Sequence, residues 1–397
     1  MTLGVFAPAR LSAIGGDVGA GVVRAAQYAR TLGRDAPSIH DRLRLGASAV
    51  VDEALLTTFQ VLRSPATVDD VGPHLDEANL LVEHLWGCAA FARPEDFHVR
   101  PSPPQMHGAT RRLGHLSFRH VAFASPYTPG DDVPAAARFR EQTDNRIAHA
   151  WVLEHDEPRP WIVCVHGAGM GEPLADFVTF RAGALHRSGF NVALPVLPQH
   201  GPRGVGRVEV AFPTDDSALN LHGATQAIAD VRAVIASAQA SGAPVALIGV
   251  SLGAYVAATV AALEPDVRAV VLGVPVVDLS ALLRIHAPAR FAARSRFDEM
   301  CEVAHVLERI TSPLAFAPPS TPVRRIFAGR ADRLVRPEQV ARLIDHWRVA
   351  DPLWYRGGHI GFLGLAVVRR ALGDALVDGG VARRDRGRVV ALGDGAW

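Results

Sequence analysis

The stretch Val245-Ala-Leu-Ile-Gly-Val-Ser251-Leu-Gly253 decides the fold, because it joins an apolar run to a serine between two glycines. The following residues, Ala254-Tyr-Val-Ala-Ala-Thr-Val260, continue as an apolar helix. A sharp strand-to-helix turn holds such a serine in a strained conformation with its hydroxyl exposed. Glycine is needed at positions 249 and 253, since any side chain there would crowd the turn. The helix N-terminus also stabilises negative charge developing nearby, so Ser251 is the candidate nucleophile.

Apolar strands alternate with helices on both sides of this turn. Strands are predicted at 161–165, 191–196, 245–250, 268–274, 323–328 and 351–355, and helices at 217–240, 252–263 and 337–348. Two earlier strands are predicted from alternation through Leu116, Phe118 and His120 and through residues 147–153. Near-continuous apolar strands that alternate with helices indicate a mostly parallel central sheet covered by helices on both faces.

This arrangement resembles the α/β-hydrolase superfamily and, by its GxSxG turn, the serine hydrolases within it. In that family a His-Gly turn after an early strand supplies part of the oxyanion hole. Here His166-Gly167-Ala168-Gly169 directly follows the predicted strand 161–165. The resemblance implies that the backbone N–H groups of Ala168 and Leu252 hold the oxyanion, with Gly167 as the other possibility. Losing one such donor typically costs about 10²–10³ in rate.

A different interpretation of the same turn is a dinucleotide-binding loop formed by Gly167, Gly169 and Gly171. Its spacing is not GxGxxG, so we do not favour it. His200-Gly201 follows the strand 191–196 and resembles a His-Gly pair that many family members carry there. The resemblance implies a structural role for His200 in shaping the loop beside the pocket.

The acid and the base follow in the family's chain order of serine, aspartate and histidine. Residues 326–337, Ile-Phe-Ala-Gly-Arg-Ala-Asp-Arg-Leu-Val-Arg-Pro, resemble the turn that carries the catalytic aspartate, which implies Asp332. Two alternatives remain open: Asp332 as a helix-capping carboxylate, and Asp278 as the acid after the preceding strand. His359 follows the last predicted strand, and the glycines before it let the loop bring the imidazole to Ser251.

Composition excludes several classes of protein. The 397 residues include 41 basic and 40 acidic side chains, which gives a formal charge of +1 and no general attraction to nucleic acid or anionic lipid. The three cysteines, Cys88, Cys164 and Cys301, have neither metal-ligand nor disulfide-framework spacing. No signal peptide and no apolar run of about 18 residues is evident, so we expect a cytoplasmic protein without a membrane span.

The chain divides by pattern into three parts. We expect an N-terminal helical region or cap at 1–107, a catalytic α/β-hydrolase domain at 108–377 and a C-terminal tail at 378–397. Prolines between residues 94 and 104 mark the first boundary. Residues 278–322, rich in Arg and Ala and closed by prolines, interrupt the alternation and are a candidate lid insertion.

Two helices are predicted within the N-terminal region. The first contains Val51, Leu55, Phe59 and Leu62 at helical spacing, and the second contains Val71, Leu75, Ala78, Val82 and Leu85. Pro73 near the start of the second helix is tolerated there, because the first turn has no partner for its N–H.

The leading functional hypothesis is a serine hydrolase that cleaves a carboxylic ester, a thioester or a lactone through an acyl-enzyme. A C–C bond hydrolase or an acyltransferase would use the same Ser251–His359–Asp332 set, and a catalytically degenerate ligand-binding relative is the third hypothesis. We expect no cofactor and no metal, since no metal-binding motif is present. The expected partner is a small-molecule acyl substrate and not a nucleic acid, and a homodimer is left open.

Overall fold

A nine-stranded sheet forms the centre of the protein in a computed structural model that describes residues 47–48, 50–53, 56, 72–204, 212–287 and 289–393. The strands are β1 (His107–Leu113), β2 (Leu116–Ala124), β3 (Ile147–Leu153), β4 (Trp161–Val165), β5 (Asn191–Val196), β6 (Val245–Val250), β7 (Ala269–Gly273), β8 (Val323–Gly329) and β9 (Leu353–Tyr355). Their order is β1-β2-β3-β5-β4-β6-β7-β8-β9. The pairings from β5 to β9 are parallel and those from β1 to β5 antiparallel, which confirms the predicted mostly parallel sheet.

Most helices lie in the connections between these strands, whereas the first precedes β1 and the last follows β9. They are α1 (Gly72–Gly87), α2 (Ala136–Glu141), α3 (Pro173–Phe180), α4 (Ala182–Arg187), α5 (Ser217–Gln239), α6 (Leu252–Leu263), α7 (Leu279–His286), α8 (Ala289–Ala292), α9 (Phe297–Glu308), α10 (Pro337–Trp347) and α11 (Ala366–Asp378). No helix among the described residues combines the length and the apolar character that crossing a bilayer requires.

Both faces of the sheet are covered, which explains why its central strands are apolar throughout. Every residue of β4, β5, β6 and β7 is buried. One face packs against α5, α6 and α10. The other packs against α3 and α11 and against a C-terminal hairpin formed by β10 (Ala382–Asp385) and β11 (Arg388–Ala391). The predicted alternation of strands and helices therefore corresponds to a three-layer α/β arrangement.

The hairpin lies within the C-terminal tail expected at 378–397. Val381, Ala382 and Ala391 are buried in the core, and the amide of Ala391 donates to the carbonyl of Ser188 at 2.9 Å. The exposed arginines of this segment lie on an ordered hairpin, because the apolar residues between them supply a buried face.

Helix α1 has no separate core among the described residues. Leu75, Leu81 and Leu85 pack in one apolar cluster with residues of α9 and with the first turn of α5. The predicted second N-terminal helix is thus present, and the candidate lid insertion shares its core. The predicted first helix lies mostly outside the described residues. Of its span, only 51–53 and 56 are described, and these residues are helical.

A fully buried ion pair lies beneath the loop after β5. The guanidinium of Arg203 donates to Asp230 at 2.7 Å and to the carbonyls of Val196 and Asn145 at 2.9 and 2.8 Å. The Arg203 and Asp230 side chains are 0% and 2% exposed, and Asp230 also accepts from Ser125 at 2.6 Å. This network ties the turn before β3 and the residue after β2 to β5 and α5.

We expect Arg203→Met to lower the free energy of unfolding by about 3–5 kcal/mol, because it leaves a buried carboxylate without its cation. The matched control is Arg325→Met, which breaks an exposed pair with Asp378 and should cost less than about 1 kcal/mol. Urea denaturation of both variants measures the difference. Equal losses in the two variants would contradict a special role for the buried pair.

Candidate active site

Ser251 occupies a strained turn between β6 and α6. Its φ of 54° and ψ of −119° are unfavourable for a residue with a side chain, and hydrogen bonds hold the backbone there. The Ser251 amide donates to the carbonyl of Gly273 at 2.9 Å, and its carbonyl accepts from Ala254 at 3.0 Å. A Cβ on Gly253 would overlap the carbonyl oxygen of Val165, so the helix reaches this position only because residue 253 is glycine.

His359 lies between Ser251 and Asp332. Its Nε2 is 2.9 Å from the Ser251 hydroxyl oxygen, and its Nδ1 is 2.8 Å from Oδ2 of Asp332. Asp332 and His359 are 2% and 5% exposed. The other Asp332 oxygen accepts from the amides of Leu334 and Val335, both at 2.9 Å. The structure therefore brings together the three side chains that the sequence singled out, and Asp332 also has the capping contacts of the alternative interpretation.

The surroundings of His359 favour its charged form. Burial lowers the pKa of the imidazole, but the charge of Asp332, the hydrogen bond to it and the charge of Asp52 together raise that pKa above its ordinary value. A carboxylate aligned with Nδ1 stabilises an imidazolium that forms when Nε2 takes a proton. The arrangement can thus accept a proton from the Ser251 hydroxyl.

The predicted oxyanion donors lie beside Ser251. Within the described residues, neither the N–H of Ala168 nor that of Leu252 donates to a protein acceptor. A Cβ on Gly167 would lie 3.2 Å from the Cβ of Ser251, which shows how closely the turn after β4 approaches the serine. Two backbone donors near a serine suit an oxygen that gains negative charge.

His166 shapes that turn and stays neutral. Its Nε2 accepts from the amide of Leu197 at 3.0 Å, so Nδ1 carries the proton and donates to the carbonyl of Gly167 at 2.8 Å. Burial lowers the pKa of His166 to about 4. His200 packs edge-on against His166, and its Nδ1 contacts the carbonyl of Pro198 at 2.8 Å, in keeping with the structural role expected for it.

Asp176 supports the same turn and was not anticipated from the sequence. The Asp176 carboxylate is fully buried and accepts from the amide of Gly171 at 3.1 Å. Burial raises its pKa to about 7. A single aspartate on a short helix carries no sequence signal of such a contact.

Asp278, the alternative acid, does not pair with His359. It caps α7 by accepting from the amide of Ala281 at 2.8 Å, and it binds Ser280 and Arg342 at 2.6 and 3.1 Å. With His305 and Glu308 it forms a group of metal-ligand composition, whose ligand atoms lie within 4.8 Å of one another. The Glu308 oxygens accept from the amides of Leu279 and Ser280, at 2.6 and 3.0 Å, so this carboxylate already has backbone partners.

A second unanticipated residue, Asp52, contacts the histidine loop. Its carboxylate accepts from the amide of His359 at 2.9 and 3.0 Å and from the amide of Arg333 at 3.0 Å. Burial, followed by the charge of Asp332, raises the pKa of Asp52 to about 6. Position 52 lies inside a predicted amphipathic helix, where no local pattern indicates a contact 307 residues away.

The parallel sheet, the strained serine turn and the adjacent histidine define an α/β enzyme of the hydrolase class. Residues 162–393 match the sequence model of the alpha/beta hydrolase family, and the chain belongs to that family. Family membership supports a hydrolase activity.

Two further comparisons cover most of the chain. Two uncharacterized proteins of Mycobacterium tuberculosis, from strains H37Rv and CDC 1551, are each 37% identical over 364 residues, which cover 88% of this chain and 87% of theirs. Acetyl xylan esterase 1 from Thermoanaerobacterium sp. JW/SL YS485 superposes with a TM-score of 0.50 at 16% identity, covering 81% of this chain and 98% of that one. The likeness to the acetyl xylan esterase shows a shared fold.

We expect Asp332→Asn to lower the pKa of His359 below the ordinary 6.5, because burial is then opposed only by the more weakly acting Asp52. Asp278→Asn, which removes the charge of the alternative acid, should leave that pKa unchanged. Nitrogen-15 NMR titration of the imidazole measures both. A larger pKa shift in the Asp278 variant than in the Asp332 variant would contradict the pairing of His359 with Asp332.

Proposed function

We propose that this protein is a serine hydrolase of carboxylic esters, with thioesters and lactones in the same substrate class. The observation that carries the proposal is the continuous hydrogen-bonded line from the Ser251 hydroxyl through His359 to Asp332, with distances of 2.9 and 2.8 Å. The strained backbone of Ser251 supports it, because such strain persists only where the surrounding structure maintains it.

In the proposed reaction, Ser251 attacks the ester carbonyl while His359 takes the hydroxyl proton. The oxyanion is held by the amides of Ala168 and Leu252, and Asp332 stabilises the imidazolium. His359 then gives its proton to the leaving alcohol, and an acyl group remains on the serine oxygen. A water molecule loses a proton to His359 as it attacks, and the acid departs as the serine regains its proton.

We also propose that α1, from the N-terminal region, and α9, from the insertion 278–322, form the roof of the acyl pocket. Their shared apolar cluster supports this arrangement, since it makes α1 and α9 one packed unit. The insertion also reaches the acid loop, where Nε2 of His286 contacts the carbonyl of Leu334 at 2.8 Å. Side chains on the inner side of such a roof would determine the acyl length that the pocket accepts.

A fluorophosphonate probe should label the wild-type protein, and Ser251→Ala should abolish labelling, because the probe reacts only with an activated hydroxyl. Ser280→Ala is the matched control. Ser280 also has an aspartate and a histidine beside it, Asp278 at 2.6 Å and His305 at 3.3 Å, yet it lies in the first turn of α7 and not in a strained turn. Labelling that survives Ser251→Ala, or is lost in Ser280→Ala, would contradict the proposal.

The bond that is cleaved is tested with a substrate panel. We expect nitrophenyl esters of short and medium acyl chains to be hydrolysed and β-diketones to be inert. Ser251→Ala should reduce ester turnover by at least about 10⁴-fold, as for a nucleophile that acts as a unit with its base. Rapid diketone cleavage with inert esters would favour a C–C hydrolase instead.

A further inference from the structure

Asp52 joins the two loops that carry the acid and the base. One loop follows β8 and presents Asp332 and Arg333, and the other follows β9 and presents His359. The Asp52 carboxylate accepts from the amides of Arg333 and His359 at distances of 2.9–3.0 Å, and the residue is only 1% exposed. Charged acceptors bind backbone N–H groups more strongly than neutral ones, so this contact restrains both loops.

The loop after β9 has room for the Asp52 carboxylate because residue 358 is glycine. A Cβ on Gly358 would lie 2.5 Å from Asp52 Oδ2, so a side chain at position 358 is incompatible with the contact. The neighbouring residue, Glu53, anchors the same segment through an ion pair with the Arg333 guanidinium at 3.0 Å. Both Glu53 and Arg333 are largely buried in this pair, at 5% and 14% exposure.

Charge adds to the geometric effect. The titratable groups that face Asp52 are Asp332, His359 and the hydroxyl of Tyr355, with the Glu53–Arg333 pair at the edge. Ionised Asp52 contributes to the raised pKa of the His359 imidazole. Because the pKa of Asp52 is about 6, the carboxylate is charged at neutral pH.

We propose that Asp52 is a positioning residue that holds the His359 imidazole between Ser251 and Asp332 by accepting hydrogen bonds from the two loop backbones. It acts through His359 and contacts no reacting atom. The kinetic consequences rest on the proposed hydrolase function, whereas the effect on His359 itself does not. The N-terminal segment thereby completes the site formed by the α/β domain.

The first test follows the His359 imidazole by nitrogen-15 NMR in the full-length chain, with His359→Gln used to assign the signal. Asp52→Asn removes the charge and keeps an oxygen acceptor, so it should lower the pKa of His359 by on the order of one unit. Asp278→Asn is the control: it removes the charge of a buried carboxylate that does not pair with His359, and it should leave the pKa unchanged. An unchanged pKa in Asp52→Asn, or equal shifts in both variants, would overturn the proposal.

The second test compares Asp52→Ala, Gly358→Ala and the double variant by the second-order rate of fluorophosphonate labelling. Each single change should reduce the rate on the order of 10²-fold, because each displaces the imidazole. The double variant should be no slower than Asp52→Ala, since both changes remove the same contact. Additive losses would overturn the proposal.

Asp52→Asn should recover most of the rate at high pH and shift its acid limb to lower pH, which general destabilisation would not do.

The two proposals fail in different ways. A folded wild-type protein that no fluorophosphonate labels would refute the hydrolase function, and the NMR titration would still decide the role of Asp52. Urea denaturation of each variant separates lost folding from lost positioning. If Asp52→Ala does not fold, Gly358→Ala carries the rate comparison and Asp52→Asn carries the pH profile. A wild-type rate in Gly358→Ala, or an unshifted acid limb in Asp52→Asn, would refute the proposal.

Discussion

The close approach of α6 to β4 is the constraint on which the rest of the site depends. Gly253 lets the first turn of the helix touch the Val165 carbonyl, and Gly249 prevents a clash with the same turn. The backbone between these two glycines is therefore strained. Ser251 has a positive φ, and its hydroxyl lies at the sheet edge where β6 ends. The same packing leaves the Leu252 amide at the helix N-terminus beside the turn that carries Ala168. The proposed nucleophile and the proposed oxyanion donors therefore arise from one packing contact.

Much of the fold could be predicted because parallel strands are buried on both faces. Strands such as β4 and β6 consequently appear in the sequence as short apolar runs, which are easily recognised between helices. Strand β1 escaped prediction because six of its seven residues are exposed at the sheet edge, so burial imposes no pattern on it. The C-terminal hairpin escaped for a related reason: its arginines dominate the composition, while few residues, such as Ala382 and Ala391, are buried.

The residues of the candidate site were predictable to the extent that local turns specify them. Ser251, Asp332 and His359 each follow a strand, and a glycine near each one marks a tight turn. Parallel strands also end at the same sheet edge, so residues far apart in sequence could be expected to meet. Asp52 and Asp176 could not be predicted in this way, because their partners are backbone amides. An amide has the same chemistry at every position and leaves no trace in the sequence of its acceptor.

The contact between Asp52 and His359 also constrains when the site can form. Polypeptide synthesis proceeds from the N-terminus, and the two residues are 307 positions apart. At about 5–20 residues per second, roughly 15–60 s pass between the addition of Asp52 and the addition of His359 to the chain. The β8 and β9 loops are among the last parts of the α/β domain to be made. All nine strands of the sheet are therefore synthesised before Asp52 can accept a hydrogen bond from the amide of His359.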